Sequence, residues 1–333
     1  MEEFMKKITV WFLCLLMLAM PMTLTACKTD EDGVIRLSEV THSIFYAPLY
    51  VAINNGYFED EGITIELSNA GGADKVMTAI ASKSADIGLM GPEATIYCHV
   101  EGQRDYPVIF GQLTQRDGSF LVSRNEEPDF KWSDLEGKHV LAGRAGGVPA
   151  MTLQYVVETL GGLSLSQLNF DTTVAFDLMV GAFEGDTSID YCTMFEPTAS
   201  DFVAAGKGYI VASVGEAAGD VPFTAFSASK SYLEENRELV KKFLACVKKG
   251  YDFIVSSDSM AVADALAPSF SGESKQLMAS SVERYLSINA WCSSPVMSKA
   301  SFDSLQDIMQ NAGTLDERAD FSLAVDNSIA KEL

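Results

Sequence analysis

Histidine is scarce in this 333-residue chain, three in all, and none stands in a His-Glu-x-x-His pair. The commonest zinc-hydrolase site is therefore missing. The six cysteines include no Cys-x-x-Cys pair, which removes the usual structural-zinc and redox signals and leaves no expected metal or cofactor. Neither a Gly-x-Ser-x-Gly elbow nor a phosphate loop ending in Gly-Lys-Ser/Thr is present. Ser227-Ala228-Ser229-Lys230 has the Ser-x-x-Lys spacing of penicillin-recognising enzymes, but its Ser-Asp-Asn and Lys-Thr-Gly companions are absent and the match is chance. Basic residues are few, 24 against 46 acidic ones, giving a net charge of −22. A surface this acidic repels phosphate backbones and argues against nucleic-acid binding. Solubility is explanation enough for the charge. After Leu24 no apolar run approaches the ~20 residues that a membrane span needs. There is no internal repeat and no low-complexity tract.

The amino-terminal end is where apolar residues do concentrate. Lys6 and Lys7 precede a stretch over residues 8–24, broken by Pro21, and the tetrapeptide Leu24-Thr25-Ala26-Cys27 closes it. That order fits a bacterial secretory signal, and its cysteine resembles that of a lipobox. The resemblance implies removal of residues 1–26, lipidation of Cys27, and a lipidated tether over residues 27–33. Each buried methylene contributes about 0.8 kcal/mol, so several acyl chains hold a protein firmly at a membrane surface. An uncleaved transmembrane helix fits less well with Pro21 and the short polar tail. Removing residues 1–26 takes away two lysines and two glutamates, so the charge stays at −22. Cys98, Cys192, Cys246 and Cys292 remain, each alone in an apolar neighbourhood, and read as buried thiols rather than a disulfide framework.

Strand and helix patterns alternate from there. Residues 34–40 read as a strand and 43–54 as an apolar helix with Pro48 near its start. Residues 63–67 alternate as a strand, 74–82 form a helix with Val76 and Ile80 one turn apart, and 87–90 are a buried strand. Gly91-Pro92-Glu93 opens the next helix. Further segments fall at 108–113, 138–142, 149–160, 174–176 and 191–195, and the chain turns helical after Lys230, over 234–255, 274–288 and 299–311. This order predicts an α/β fold with largely parallel sheets, and about 300 residues predict two lobes.

Several ordered pieces carry a family likeness: Phe45-Tyr46-Ala47-Pro48-Leu49-Tyr50-Val51-Ala52, Asn55-Gly56-Tyr57-Phe58, Glu61-Gly62-Ile63, Gly71-Gly72-Ala73, Ala85-Asp86-Ile87-Gly88, Gly91-Pro92-Glu93, Asp134-Leu135-Glu136-Gly137-Lys138 and Phe195-Glu196-Pro197. In them the chain resembles the solute-binding proteins of ABC importers, and more closely the branch that binds sulfonates, nitrate or thiamine pyrimidine precursors. The likeness spans roughly residues 34–315. It implies a two-lobe periplasmic-binding-protein-like fold of type II, with mostly parallel sheets, flanking helices and a hinge of two crossings. The first lobe is expected over residues 34–123, the second over 124–214, and the return crossing with the rest of lobe one over 215–333. The crossings are expected near residues 123–131 and 214–224. The implied activity is capture of a small-molecule ligand by a monomer that works with an ABC permease from a lipid anchor outside the cytoplasm. An enzyme on the same scaffold or a ligand-sensing module is the alternative. The yeast-type thiamine-pyrimidine synthases of this architecture carry a cysteine-rich iron motif that this chain lacks.

The candidate site follows from both lines. Gly71-Gly72, Gly91-Pro92 and Gly146-Gly147 precede helix starts, whose unpaired N–H groups and partial positive charge hold oxygens without a side-chain cation. Phe45, Tyr46, Phe195, Phe223 and Phe226 offer flat apolar faces; each alone fits a core position equally. Arg144 suits either a fork onto an anionic oxygen pair or a salt bridge between lobes. Arg116, within the polar turn Gln115-Arg116-Asp117, faces the expected hinge. Glu93 sits in a first helical turn, where a carboxylate is favourable in any case. Glu196 suits a cap of the helix that follows it, and His42 suits a structural imidazole. An arginine and helix starts favour a sulfonate or carboxylate; the aromatic set and acidic groups favour a heterocycle such as an aminopyrimidine, to which the reading leans.

Overall fold

The computed structural model describes residues 33–102 and 105–333. The expected signal segment, Cys27 and nearly all of the expected tether lie outside the described residues. Among the described residues ten strands form two five-stranded sheets. The first contains β1 (Val34–Glu39), β2 (Thr64–Asn69), β3 (Ile87–Met90), β4 (Pro107–Thr114) and β10 (Thr224–Ser229), in the order β2-β1-β3-β10-β4. The second contains β5 (Ser119–Ser123), β6 (His139–Leu141), β7 (Asn169–Asp171), β8 (Tyr191–Phe195) and β9 (Tyr209–Ser213), in the order β7-β6-β8-β5-β9.

Each sheet is mixed, with four strands running one way, as expected, and one running against them. In the first, β1 runs parallel to β2 and β3, whereas β10 runs antiparallel to β3 and β4. In the second, β6 runs parallel to β7 and β8, whereas β5 runs antiparallel to β8 and β9. The cause is topological. β5 and β10 are the strands that enter each sheet directly from the other one, so they start where the parallel strands end.

Local sequence explains the elements. β3 is buried at every position, in keeping with its run of apolar residues. Helix Ala73–Ala81 buries Val76 and Ile80 on one stripe. Gly88 makes room for that stripe: a Cβ there would lie 2.6 Å from Val76 Cγ1 and 2.7 Å from Ile80 Cδ1. Proline stands at N1 or N2 of helices Ala47–Asn54, Pro92–Val100 and Val148–Thr159, where no intrahelical N–H is lost.

Two sequence expectations change. The first crossing runs through residues 115–118, between β4 and β5, and not through 123–131. β5 carries serine at both ends but is buried throughout, so it belongs inside the second sheet. Residues 174–176 are not a strand; the strand is the short β7 just before them, and Phe176 instead opens the 3-10 turn Phe176–Leu178. The second crossing runs through residues 219–223.

The two crossings are tied to one another. Arg116 donates to Asp220 at 2.9 Å and the Val221 N–H donates to the Gln115 carbonyl at 2.8 Å. Helix Arg237–Ser256 packs on helix Ala47–Asn54 so closely that a Cβ on Gly250 would lie 2.0 Å from the Pro48 oxygen. Trp291 Nε1 donates to the Phe45 carbonyl at 2.8 Å, fixing the turn that carries Tyr46. Among the described residues no helix is long and apolar enough to cross a membrane.

Candidate functional site

The loops leaving the carboxyl ends of the parallel strands face one another across a cleft between the sheets, the place where open α/β sheets collect ligands. Val40 and Thr41 follow β1, Gly72 and Ala73 follow β2, and Gly91 and Glu93 follow β3. From the second sheet come Arg144, Gly147, Val148 and Pro149 after β6, and Phe195 at the end of β8. Tyr46, Phe176, Phe223 and Thr224 complete a lining around a narrow space of about 50 Å³, room for water-sized molecules as the lobes stand.

The walls are mostly apolar and aromatic. Phe195 lies 5.8 Å from Phe176 and 6.0 Å from Phe223, centroid to centroid. Tyr46 is buried, and burial together with the nearby Glu39 and Glu93 charges pushes its phenol far above its ordinary range, against the Thr224 hydroxyl that it meets.

Glu93 is the anomaly of the cleft. Only 2% of it is exposed, and its Oε2 has no hydrogen-bond partner among the described residues. Burial pushes its carboxyl up to about 7, opposed by the Arg144 charge and by the N–H groups of Glu93 itself, Val148 and Ala94. Val148 belongs to the opposite lobe, so this carboxyl faces helix starts from both sides.

Polar contacts hold the lobes together around the cleft. Arg144 Nε lies 3.4 Å from Asp74 and Lys75 lies 3.6 Å from Asp177, each pair joining the two lobes. Tyr97 donates to the Gly146 carbonyl at 3.0 Å. At the hinge side, Phe45 packs against Phe195, Phe223 and Tyr285.

The structure thus brings Tyr46, Gly72, Gly91, Glu93, Arg144, Gly147, Phe195 and Phe223 to the cleft. The other expected site residues stand elsewhere. Phe45 is fully buried behind the cleft, and Phe226 packs in the core against Phe110 and Phe243. Gly71 has φ +75°, beside Asp177, and serves the turn. Pro92 is buried in the first helical turn, Gly146 accepts from Tyr97, and Arg116 is held by Asp220. The Glu196 carboxyl accepts from Ser200 N at 3.0 Å and from Ser200 Oγ at 2.9 Å, and pairs with Arg284. Its role is to tie the helix Thr198–Ala204 to the helix Lys275–Ser287. His42 bonds Glu39 at 3.0 Å and the Ser269 carbonyl at 2.8 Å, which is the structural histidine expected.

Sequence reasoning missed Val40, Thr41, Ala73, Val148, Pro149, Phe176 and Thr224. Phe176 carried a signal as an aromatic between Asp171 and Asp177, and Ala73, Val148 and Pro149 adjoin the Gly-Gly helix starts; the others reach the cleft only through the fold. Cys98, Cys192 and Cys246 are buried and Cys292 is partly so; burial pushes Cys246 to about 11 and Cys292 to about 12, which makes both poor nucleophiles. Among the described residues no group of three or more His, Cys, Asp or Glu side chains is placed to hold a metal ion.

Known proteins share this fold. The alkanesulfonate-binding protein SsuA from Xanthomonas axonopodis pv. citri, solved bound to MOPS, superposes with a TM-score of 0.71 at 18% identity, covering 88% of this chain and 98% of that one. The periplasmic aliphatic sulphonate binding protein SsuA from Escherichia coli gives 0.68 at 16%, over 90% and 99%. At these identities the likeness establishes the two-lobe periplasmic-binding-protein fold. A Bacillus subtilis (strain 168) protein named "Putative binding protein YtlA" is 35% identical over 323 residues, 97% of this chain and 96% of its own. The family model described as "NMT1/THI5 like" matches residues 44–261, and with a relative this similar along its whole length, the chain belongs to the NMT1/THI5-like family.

Proposed function

We propose that this protein is the extracytoplasmic solute-binding component of an ABC-type importer, lipid-anchored through Cys27, and that it captures a small organic molecule by closure of two lobes. The observation that carries the reading is the cleft itself. It is built from strand-end loops of both sheets, lined by Tyr46, Phe176, Phe195 and Phe223, and bridged by contacts that close only when the lobes meet. No covalent step is required: burial of the ligand's apolar area and a few fixed polar groups supply the affinity. The lining favours a flat aromatic heterocycle such as a pyrimidine, because aromatic walls give large contact area at little cost in side-chain entropy.

A second reading, an alkanesulfonate, is favoured by Arg144 and by the helix starts at Gly72, Gly91 and Gly147. The test is a thermal-shift panel on the full chain extracted in detergent, with pyrimidines, nucleobases, aromatic acids, taurine, alkanesulfonates, nitrate and amino acids. Ligand at a hundredfold over Kd stabilises by about 2.7 kcal/mol. A shift confined to pyrimidines supports the first reading and one confined to sulfonates the second. Turnover of any panel member would replace the transport reading by an enzymatic one.

A further inference from the structure

Three helices begin at the cleft: Ala73–Ala81 at Gly72, Pro92–Val100 at Gly91 and Val148–Thr159 at Gly147. Their first turns offer unpaired N–H groups and partial positive charge, a ready cradle for an anion. In this chain the cradle already holds one. Glu93, the second residue of its helix, folds back over Gly91 so tightly that a Cβ on Gly91 would lie 1.9 Å from Glu93 Oε2. Its carboxyl takes the influence of the Glu93, Ala94 and Val148 N–H groups, which are the donors that a sulfonate head would use.

Arg144, the cation in the lining, acts on Glu93 through its charge but gives its close contacts to other groups. Arg144 pairs with Asp74 at 3.4 Å and donates to the Ala145 carbonyl at 3.1 Å. What the cleft leaves open is an acceptor: Oε2 of Glu93, buried and without a hydrogen-bond partner among the described residues, in a site walled by aromatic rings. A buried acceptor left unpaired is costly, and a ligand donor removes that cost. A second negative charge beside it would add repulsion in a poorly solvated site.

We propose that Glu93 is the specificity-determining residue of the cleft: it occupies the anion position at the helix starts and offers Oε2 to a donor, so the site selects a flat ring bearing an amidine or amino-heterocycle head and rejects ring sulfonates. The inference rests on the reading of the cleft as the solute site, and its test separates the two. Two probes share one ring and differ in head group, benzamidine as the donor cation and benzenesulfonate as the anion. Calorimetric titration of the full chain should give benzamidine an affinity at least tenfold above that of benzenesulfonate. Glu93→Gln should lower benzamidine affinity at least tenfold and raise that of benzenesulfonate. Equal or tighter binding of benzenesulfonate to the wild type overturns the inference, and this arm needs no variant to fold. An unchanged ratio in Glu93→Gln overturns it too, as does the absence of heat with both probes. Phe195→Ala serves the other question. A probe whose affinity ignores that change is not in the cleft and the solute-site reading fails; a cleft-dependent probe with the wrong charge preference fails only the inference.

Discussion

Glu93 should make the unliganded protein lose stability as pH rises, and glutamine at this position should remove that loss. The carboxyl stands near 7 in the folded chain against an ordinary 4.5, chiefly because burial opposes its ionised form. Between those values the folded state binds more protons than the unfolded state, so stability falls as pH rises, and above about 7 the loss is complete. The gap corresponds to about 3 kcal/mol. For a chain of this size 1 kcal/mol moves Tm by about 2 °C, so Glu93 alone should lower Tm by about 5 °C between pH 5 and pH 8. Glutamine has no such titration. Whatever fixed cost the amide incurs against the N–H groups of Ala94 and Val148 is present at both pH values and cancels in the difference. Scanning calorimetry of wild type and Glu93→Gln at pH 5, 6, 7 and 8 measures it. Equal pH dependence in the two proteins would refute the reasoning. Asp117 provides an internal comparison: burial in the hinge pushes it up to about 7 from 3.8, and one of its oxygens is also unpartnered. Asp117→Asn should therefore flatten the profile with the same sign without altering ligand preference.

Benzamidine affinity should climb towards tenfold per pH unit below about 7 and level off above, because the cation needs Glu93 ionised. Tyr46 and Tyr97 face the same carboxyl with phenols that burial pushes up, and Arg144 faces it as a cation, so Glu93 is the group that changes charge; a flat calorimetric profile would count against this. Removing the two ion pairs across the cleft with Asp74→Ala and Lys75→Ala should increase the unliganded radius of gyration in small-angle scattering and weaken ligand binding a few-fold. The pairs are partly exposed and each contributes about 0–1 kcal/mol, so the fold should survive. Gly118→Ala should cost about 1–3 kcal/mol in urea denaturation, since its Cβ would lie 2.4 Å from the Phe45 ring, itself wedged between Phe195, Phe223 and Tyr285.

Periodicity made the first lobe legible. The four buried residues of β3, the Val76–Ile80 stripe and proline at three helix starts are local signals, and local physics decides them. The second lobe was harder because its signals are shared with loops. β5 begins and ends with serine, so it reads as polar although the sheet buries all of it. β7 is a three-residue edge strand of which only Asn169 is exposed, while its neighbour Phe176 looked strand-like yet serves the cleft. Phe45 and Tyr46 show the limit most sharply. They are adjacent and both aromatic, and only the 3-10 turn turns one towards the hinge and the other towards the cleft. Thr41 and Thr224 are far apart in the chain and line the same cleft through sheet order alone, which no window of sequence contains.

Two glutamates with nearly the same sequence signature separate structure from recognition. Glu93 follows a proline at a helix start and Glu196 precedes one, both are buried, and burial raises both carboxyls. Glu196 has its acceptors answered by Arg284 and by both Ser200 donors. A carboxylate so satisfied is bound into the frame, and stripping its partner leaves a buried charge uncompensated, a change that typically costs ~3–5 kcal/mol. Arg284 is partly exposed, so water offsets some of that, and Arg284→Ala should destabilise by about 1–3 kcal/mol. Because this pair lies outside the cleft lining, the same variant should leave the benzamidine-to-benzenesulfonate affinity ratio unchanged. Glu93→Gln should do the reverse, altering the ratio without unfolding the chain. Denaturation and titration of both variants decide between these outcomes, and a shifted ratio in Arg284→Ala would mean that Glu196 also reads the ligand. The difference between the two residues is therefore a matter of accounting for lone pairs: one carboxyl is complete without a ligand, and the other is complete only with one.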